Sequence, residues 1–511
     1  MDMEKINELG QLAIRKMNAG DFEGALSLAH QIKSLSSHHV ASFVASGILI
    51  DVGNAVGDEK IIREGVNLLQ KDFEAIIQQG GYKPTAYYYL ANGYSALLRL
   101  EIMKAPFIVC FRETELNKAI GYYREAINCD LKDSMFASQV WVNLGNCFDH
   151  LGRVVDALEC YDEALRLKPD HGMALGNKGQ ALLHYAVLSG EHEGTLIREA
   201  YSLLIQALNL GVPPEAVSSF SEYVKQIKEH FPDKKTLDKL PEYPGYKIES
   251  KSEFERFLVE FCLKNRLYLN ICNFCQKCDA AIGDTAIIKR MIVQIETGKK
   301  TDFLKNDAYL HLSGYLNQIK QDYITARFLL ILSRYKKLDL SFVDKHVLIV
   351  DTLDSSIHNI RIQLVKTSFK VFYDILDKIA YFINDYLELG ISEKEISFPQ
   401  LWYTKKKTIC KKIEDTKNLS LNALFNIHKD FENGPYEKLK RTRHALTHRF
   451  VNIRASQTQQ DEENMTEDEL VNRTLELAKI VRGAIIYLLH FIYVEETRKE
   501  ARIRNSLSSS S

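Results

Sequence analysis

Proline and cysteine are scarce in this chain, with 10 and 9 residues among 511. Few prolines leave room for long unbroken helices, because proline removes an N–H and clashes with the preceding turn. A sparse, odd set of cysteines excludes a disulfide-stapled scaffold and fits reduced thiols. Neither sign of charge dominates: 66 Lys and Arg stand against 67 Asp and Glu, a formal net charge of −1. That balance excludes a uniformly basic nucleic-acid coat but leaves room for a local basic patch. Long hydrophobic runs are missing as well. The longest, 484–494, has 11 residues and carries His490, well short of the ~20 needed to cross a bilayer. The first residues, MDMEKINELGQLAIRK, lack the apolar core and cleavage site of a secretory signal. No Gly-rich phosphate loop, GxSxG elbow or carboxylate pair at a diagnostic spacing is present. These absences predict a cytoplasmic chain with no membrane partner and no cofactor.

What is present points to helices. Hydrophobic residues make up 46% and charged residues 26%, and 25 tyrosines and 24 phenylalanines supply aromatic packing. At roughly 100–200 residues per domain the length predicts about three domains.

The first 230 residues repeat. From Trp141, Leu144 and Gly145 follow, then Phe148, Ala157, Tyr161, Ala164 and Pro169. Small residues at 145, 157 and 164 let two helices approach closely, the large ones fill the space between them, and Pro169 ends the second helix. The spacing resembles the 34-residue tetratricopeptide (TPR) pattern at all eight signature positions. Weaker copies are built on Tyr87, Leu90, Ala91 and Tyr94 with Ala119, Tyr123 and Ala126, about 16 residues being inserted between their helices. Others are built on Leu175, Gly179 and Leu182 with Ala200, Leu204 and Ala207, and on Gly20, Phe22 and Ala25. Stacked helical hairpins over 1–230 form the predicted solenoid. A TPR solenoid implies a protein or peptide ligand.

The Pro-rich stretch 231–251 reads as a linker. Residues 252–345 read as a middle module, mixed or helical, and carry Cys272, Cys275 and Cys278 with Cys262 upstream. Ordinary thiols are the simpler reading. A zinc site built from those four is the alternative, because structural zinc takes four such ligands. Residues 346–505 read as a helical bundle. In 354–389, Ile360, Val365, Phe369, Phe372, Ile375, Leu376, Ile379, Phe382 and Ile383 recur mostly every three or four residues, with Gly390 as a stop. A shorter helix, SLNALFNIHKDF, ends at Asn433-Gly434-Pro435, and a last helix runs from Leu470 to about Arg502. The Ser-rich end, 506–511, reads as a frayed tail. The fold class is therefore all-α: a solenoid, a small middle module and a C-terminal four-helix bundle.

Between the long helices lies the most chemically loaded segment, RTRHALTHR at 441–449. At about 100° per residue, Arg443, Thr447, His444, His448 and Arg441 share one arc. Leu439, Ala445, Leu446 and Phe450 share the other, which would bury. Imidazole takes and gives protons near neutral pH, and guanidinium binds phosphate through a planar fork. Those are the groups that RNA cleavage by the ribose 2′-hydroxyl requires, without a metal. Residues 401–454 hold thirteen Lys or Arg against five Asp or Glu, a net of +8 that leaves −9 for the rest. Trp402 and Tyr403 beside the Lys405–Lys407 run offer either base stacking or core packing. Asp374, Asp377 and Glu437 could assist His448 or pair with Arg443; a solvated face or a salt bridge is the simpler reading for each.

An Arg, a polar residue and a His five positions on, late in an all-helical bundle, resembles the Rx4–6H motif of the HEPN superfamily. Many HEPN proteins are metal-independent endoribonucleases that dimerise so that two motif helices face each other. The resemblance implies a homodimer in which Arg443 clamps phosphate, His448 is the acid/base and His444 holds the motif's polar position. Lys440, Arg441, Thr447 and Arg449 would then bind RNA. The pairing of TPR with HEPN also resembles bacterial toxin and anti-phage effectors. Three other readings of this segment stay open: a solvated basic helix, a metal held by His444 and His448 at i and i+4, and a HEPN bundle that only dimerises or binds nucleotide beside a non-catalytic TPR scaffold.

Overall fold

The computed structural model describes residues 2–35, 38–79, 81–104, 111, 115–230, 237, 248–288, 307–349, 355–455 and 464–508. The predicted linker lies outside these apart from Leu237 and 248–251, as do residues 509–511 of the tail. The chain divides into two compact units, one of Met1–Ala181 with Ala200–Pro232 and one of Leu182–Glu199 with Asp233–Ser511. Where the sequence suggests one solenoid over 1–230, residues 182–199 group with the second unit.

The first unit is built from antiparallel helices: α1 (Asp2–Asn18), α2 (Phe22–Leu35), α3 (His39–Val56), α4 (Glu59–Lys71), α5 (Phe73–Gln78), α6 (Lys83–Lys104), α7 (Glu115–Ile127), α8 (Ser134–His150), α9 (Val154–Leu167), α10 (Gly172–Tyr185), α11 (Glu193–Leu210) and α12 (Pro214–His230). The division between the units falls inside α10 and α11. The α8–α9 hairpin shows why the repeat works. A Cβ at Gly145 would stand 2.6 Å from the Tyr161 ring, closer than a carbon can approach, so only glycine fits between the two helices. Trp141 packs with Val142, Ala164 and Ala174. Ser138 donates to the Ala164 carbonyl at 2.9 Å. Helix α9 ends at Leu167, two residues before Pro169. Asp133 caps α8 by accepting from the N–H groups of Met135 and Phe136, which would otherwise be unpaired.

The second unit follows with α13 (Glu253–Asn265), α14 (Asp307–Arg334), α15 (Ile360–Tyr386), α16 (Lys411–Asp415), α17 (Leu419–Asn433), α18 (Glu437–His448) and α19 (Glu467–Ser508). Helices α14, α15, α17 and α19 pack as a bundle with α18 against α15 and α17. Two three-residue strands, β1 (Asn452–Arg454) and β2 (Asn464–Thr466), pair in parallel after α18. The long helix α15 starts at its Asn359 cap and ends at Tyr386, several residues before the expected stop at Gly390. Asn384 explains the early end, because its side chain accepts from the Ile391 N–H at 3.0 Å and donates to the Ile391 carbonyl at 3.2 Å. The turn so formed passes through Glu388 and Gly390, both at positive φ.

The RLYLN and AAIGD segments form an irregular strap bound to the bundle. Arg327 donates to the Leu267 carbonyl and grips Asp284 with two bonds of 2.7 Å. Arg482, fully buried in α19, donates to the carbonyls of Tyr268 and Asn270 at 2.8 and 2.7 Å. Helices His39–Val56 and Glu467–Arg502 have the length and hydropathy of a membrane span, but 61% and 78% of those windows are buried inside the protein. They serve as core helices here.

Candidate active site

Helix α18 presents the loaded segment. Leu439, Ala445 and Leu446 are buried as their arc predicts, and so is Thr442. Thr442 bonds back to the Lys438 carbonyl at 2.8 Å and accepts from Arg473 of α19 at 2.7 Å. Arg473 is itself held by Glu469 at 2.7 Å, and Lys438 pairs with Glu476 at 3.0 Å. These bonds fix α18 in rotation about its axis. Phe450 departs from the expected apolar arc and is 92% exposed. The reason is local: α18 stops at His448 and Arg449 is extended, so the helical register no longer applies to Phe450.

A cleft of about 630 Å³ opens beside α18, lined by Tyr373, Asp377, Ser397, Pro399, Glu437, Lys440, Arg441, Arg443, His444, Ala445 and Arg449. Of the expected site residues, Arg443, His444, Lys440, Arg441 and Arg449 converge on it. Thr447 and His448 do not line it; both are exposed. The His448 ring lies 5.0 Å from that of His444, one turn further along α18.

The Arg443 guanidinium sits over the Tyr373 ring at 5.4 Å, and Tyr373 is braced edge-on by Phe431 at 5.6 Å. Burial pushes the Tyr373 hydroxyl up to about 12, with Asp377 adding to the rise and Arg443 opposing it. Burial also raises the carboxyls of Asp374 and Asp377; Arg443 counters both, and Asp377 additionally accepts from the Phe398 N–H at 2.8 Å. Arg443 is thus a half-buried cation held against an aromatic face and near two carboxylates.

Trp402 is fully buried and packs with Phe398, Phe425 and His428, so it is a core residue and not a base-stacking platform. The thiols of Cys272 and Cys275 both hydrogen-bond Cys278, which keeps the Cys278 pKa well below the usual thiol range. Cys262 lies instead beside Tyr268, Arg327 and Asp284. Among the described residues no group of three or more His, Cys, Asp or Glu side chains is placed to hold a metal ion.

Residues 303–495 match the family model of LA2681-like HEPN domains, and residues 138–171 match that of the tetratricopeptide repeat. The chain joins a TPR repeat to a C-terminal HEPN domain. The HEPN match takes in α14, which the sequence reading placed in the middle module, together with α15 to α18 and most of α19. No curated protein matches. Among solved structures, a thermophilic TPR protein of Thermus thermophilus is 14% identical, covers 43% of this chain and 99% of its own, and has a TM-score of 0.32. The structure of pilF from Pseudomonas aeruginosa is 17% identical, covers 46% and 98%, and has a TM-score of 0.31. A HEPN domain is associated with RNA-related roles and a TPR repeat with protein interaction.

Tyr373, Ser397 and Pro399 line the HEPN cleft without having been singled out from sequence. Tyr373 lies at the edge of the α15 apolar stripe, four residues after Phe369, a position that the sequence pattern does not separate from the core. Ser397 and Pro399 come from a loop whose path no periodicity reveals.

Proposed function

We propose that the HEPN domain is a metal-independent endoribonuclease, recruited or regulated through the TPR solenoid, and that it works as a homodimer. The observation that carries this reading is the cleft itself, where the phosphate-binding fork of Arg443 and the imidazole of His444 line one wall among Lys440, Arg441 and Arg449. A scissile phosphate drawn in by these cations would be clamped by Arg443 against the Tyr373 side. An imidazole then takes the 2′-hydroxyl proton as that oxygen attacks phosphorus. The 5′-oxygen leaves with a proton returned by a protonated imidazole. The products are a 2′,3′-cyclic phosphate and a 5′-hydroxyl, and no further reactant enters.

Two imidazoles 5.0 Å apart suit this exchange, His448 as the acid/base and His444 beside it. Positioned proton transfer contributes typically 10²–10⁴-fold, and a preorganised charge over the developing phosphorane contributes a comparable factor. Lys440, Arg441, Thr447 and Arg449 would guide the flanking backbone. The exposed end of α18, with His448 and Phe450, is the surface offered to a second copy. A role as a toxin or anti-phage effector follows from this activity under a TPR-sensed trigger.

The test is incubation of the purified full chain with structured RNA, with and without EDTA. Cleavage unaffected by EDTA and lost in Arg443→Ala and His448→Ala supports the proposal. A second reading rests on Asp374 and Asp377 near Arg443: a non-catalytic domain in which the arginine is neutralised internally. Partner binding without cleavage, under every trigger tried, favours that reading.

A further inference from the structure

Three of the chain's nine cysteines, Cys272, Cys275 and Cys278, stand at i, i+3 and i+6 in the strap. The local backbone gathers them. Cys272 opens a single 3₁₀ turn, and its carbonyl accepts from the N–H groups of Cys275 and Gln276 at 3.1 and 2.7 Å. Gln276 has a φ of 53°, in the left-handed region where a chain turns back sharply. Cys278 then leads into a second 3₁₀ turn, Asp279–Ile282. The loop is held from within and from the bundle. Asn270 donates to the carbonyls of Ala280 and Gly283 at 2.9 and 2.6 Å. Arg482 bonds the Asn270 carbonyl and lies over the Phe274 ring at 5.3 Å.

Inside this loop Cys278 is hydrogen-bonded by both other thiols. Cys272 and Cys275 are buried, whereas Cys278 is half-exposed between the exposed Gln276 and Asp279. The two thiol donors, joined by the Ala280 N–H and the nearby His192 imidazole, favour the thiolate at Cys278. The same hydrogen bonds, together with burial, keep Cys272 and Cys275 as neutral thiols. Cys262 stands apart beside Tyr268, and burial pushes it up to about 12. The strap thus sets one accessible sulfur nucleophile against two protonated thiols already in contact with it.

We propose that Cys278 is a site of reversible oxidation by hydroperoxides, with the two buried thiols as its resolving partners. The thiolate is the attacking species. Its sulfur attacks one oxygen of hydrogen peroxide. An S–O bond forms as the O–O bond breaks, and the hydroxide released takes a proton from solvent to become water. The sulfenic acid condenses with a neighbouring thiol: the S–S bond forms, the S–O bond breaks, and the hydroxyl leaves with the thiol proton as a second water. Two sulfurs have given up two electrons, and the peroxide has been reduced to two waters. A partner in hydrogen-bonding contact consumes the sulfenic acid before more peroxide carries it to the irreversible sulfinic acid. None of the residues of the cleft beside α18 takes part, so this inference stands apart from the proposed RNA cleavage.

Lys277 makes the product easy to read. Trypsin cuts after it and leaves Cys272 and Cys275 in peptide 267–277 and Cys278 in peptide 278–289. The full chain is reduced, desalted, treated with hydrogen peroxide, blocked with N-ethylmaleimide and digested without reductant for mass spectrometry. The two peptides are expected to appear joined by a disulfide and to separate on adding dithiothreitol. The joined species should be lost in Cys278→Ser. In a Cys272→Ser, Cys275→Ser double variant, dimedone should capture Cys278 as the sulfenic acid. The bridge is read in the wild-type chain itself, so the test holds even where a buried Cys→Ser change impairs folding. A bridge between Cys272 and Cys275 within one peptide, sulfinic acid at Cys278 in place of a bridge, or a Cys278 that stays reduced overturns the inference. So does zinc bound in the purified chain at one ion per chain with the three thiols unreactive, which makes them metal ligands instead.

Discussion

Acidification from pH 6.5 to 5 should destabilise the second unit through two histidines, His428 buried and His490 half-buried. His428 is 3% exposed within the Phe398, Trp402 and Phe425 cluster, and burial depresses its pKa from 6.5 to about 4. His490 is stacked on Tyr185 at 4.2 Å with its Nδ1 2.8 Å from the Ser420 hydroxyl, and burial depresses it equally, to about 4. Between pH 6.5 and about 4 the unfolded chain binds these two protons and the folded chain does not. Stability is therefore full above 6.5 and falls with pH through that window. One pH unit of difference is worth about 1.36 kcal/mol, so each histidine removes on the order of 2 kcal/mol by pH 5 and 3 kcal/mol by pH 4. The pair would remove about 4 kcal/mol at pH 5, a large share of a typical 5–15 kcal/mol. Asp374 and Asp377, whose carboxyls burial raises, pull the other way and reduce the loss nearer pH 4. The assay is urea unfolding of the full chain followed by Trp402 fluorescence in a Trp141→Phe background, since these are the chain's two tryptophans. The urea midpoint should fall steadily between pH 6.5 and 5, and far less in a His428→Gln, His490→Gln double variant that still folds. A flat midpoint, or an equal fall in the double variant, would refute the reasoning.

Three further outcomes are expected. Gly145→Ala places a Cβ 2.6 Å from the Tyr161 ring and should cost about 1–3 kcal/mol, the usual penalty for overpacking, read as a lower first-unit melting temperature by Trp141 fluorescence. Asp284→Ala leaves the buried Arg327 guanidinium without its two carboxylate bonds and should cost about 3–5 kcal/mol, read as a lower urea midpoint. Tyr373→Leu removes the ring under Arg443. A cation–π contact is worth about 0.5–2 kcal/mol, so RNA cleavage should slow by about two- to thirty-fold in kcat, with thermal stability changed far less.

The TPR repeat was legible in the sequence because its constraints are steric and local. Gly145, Tyr161 and Pro169 each occupy a place where few other residues fit, so spacing alone exposes them. The long helix α15 was legible for a similar reason, its stripe from Val365 to Ile383 being the face that buries. Its early end was not, because it depends on Asn384 bonding to Ile391 across a turn, a choice that competes with continuing the helix. Phe450 was misplaced because helical angles hold only as far as the helix, which ends at His448. At the candidate site, the cationic arc of α18 could be read from the sequence. On its partner wall Asp377 was also among the carboxylates that the sequence offered to Arg443, whereas Tyr373, Ser397 and Pro399 come from residues 40 to 80 positions away in the chain, and only folding brings them alongside Arg443.

The central claim is that Arg443 and the α18 histidines cleave RNA through the ribose 2′-hydroxyl. Its most direct test is the chemistry of the fragment ends produced by the purified full chain in EDTA. The wild type is expected to leave 2′,3′-cyclic phosphate and 5′-hydroxyl ends, and Arg443→Ala and His448→Ala none. Fragments with 5′-phosphate ends, or cyclic-phosphate ends produced as fast by both alanine variants, would contradict it.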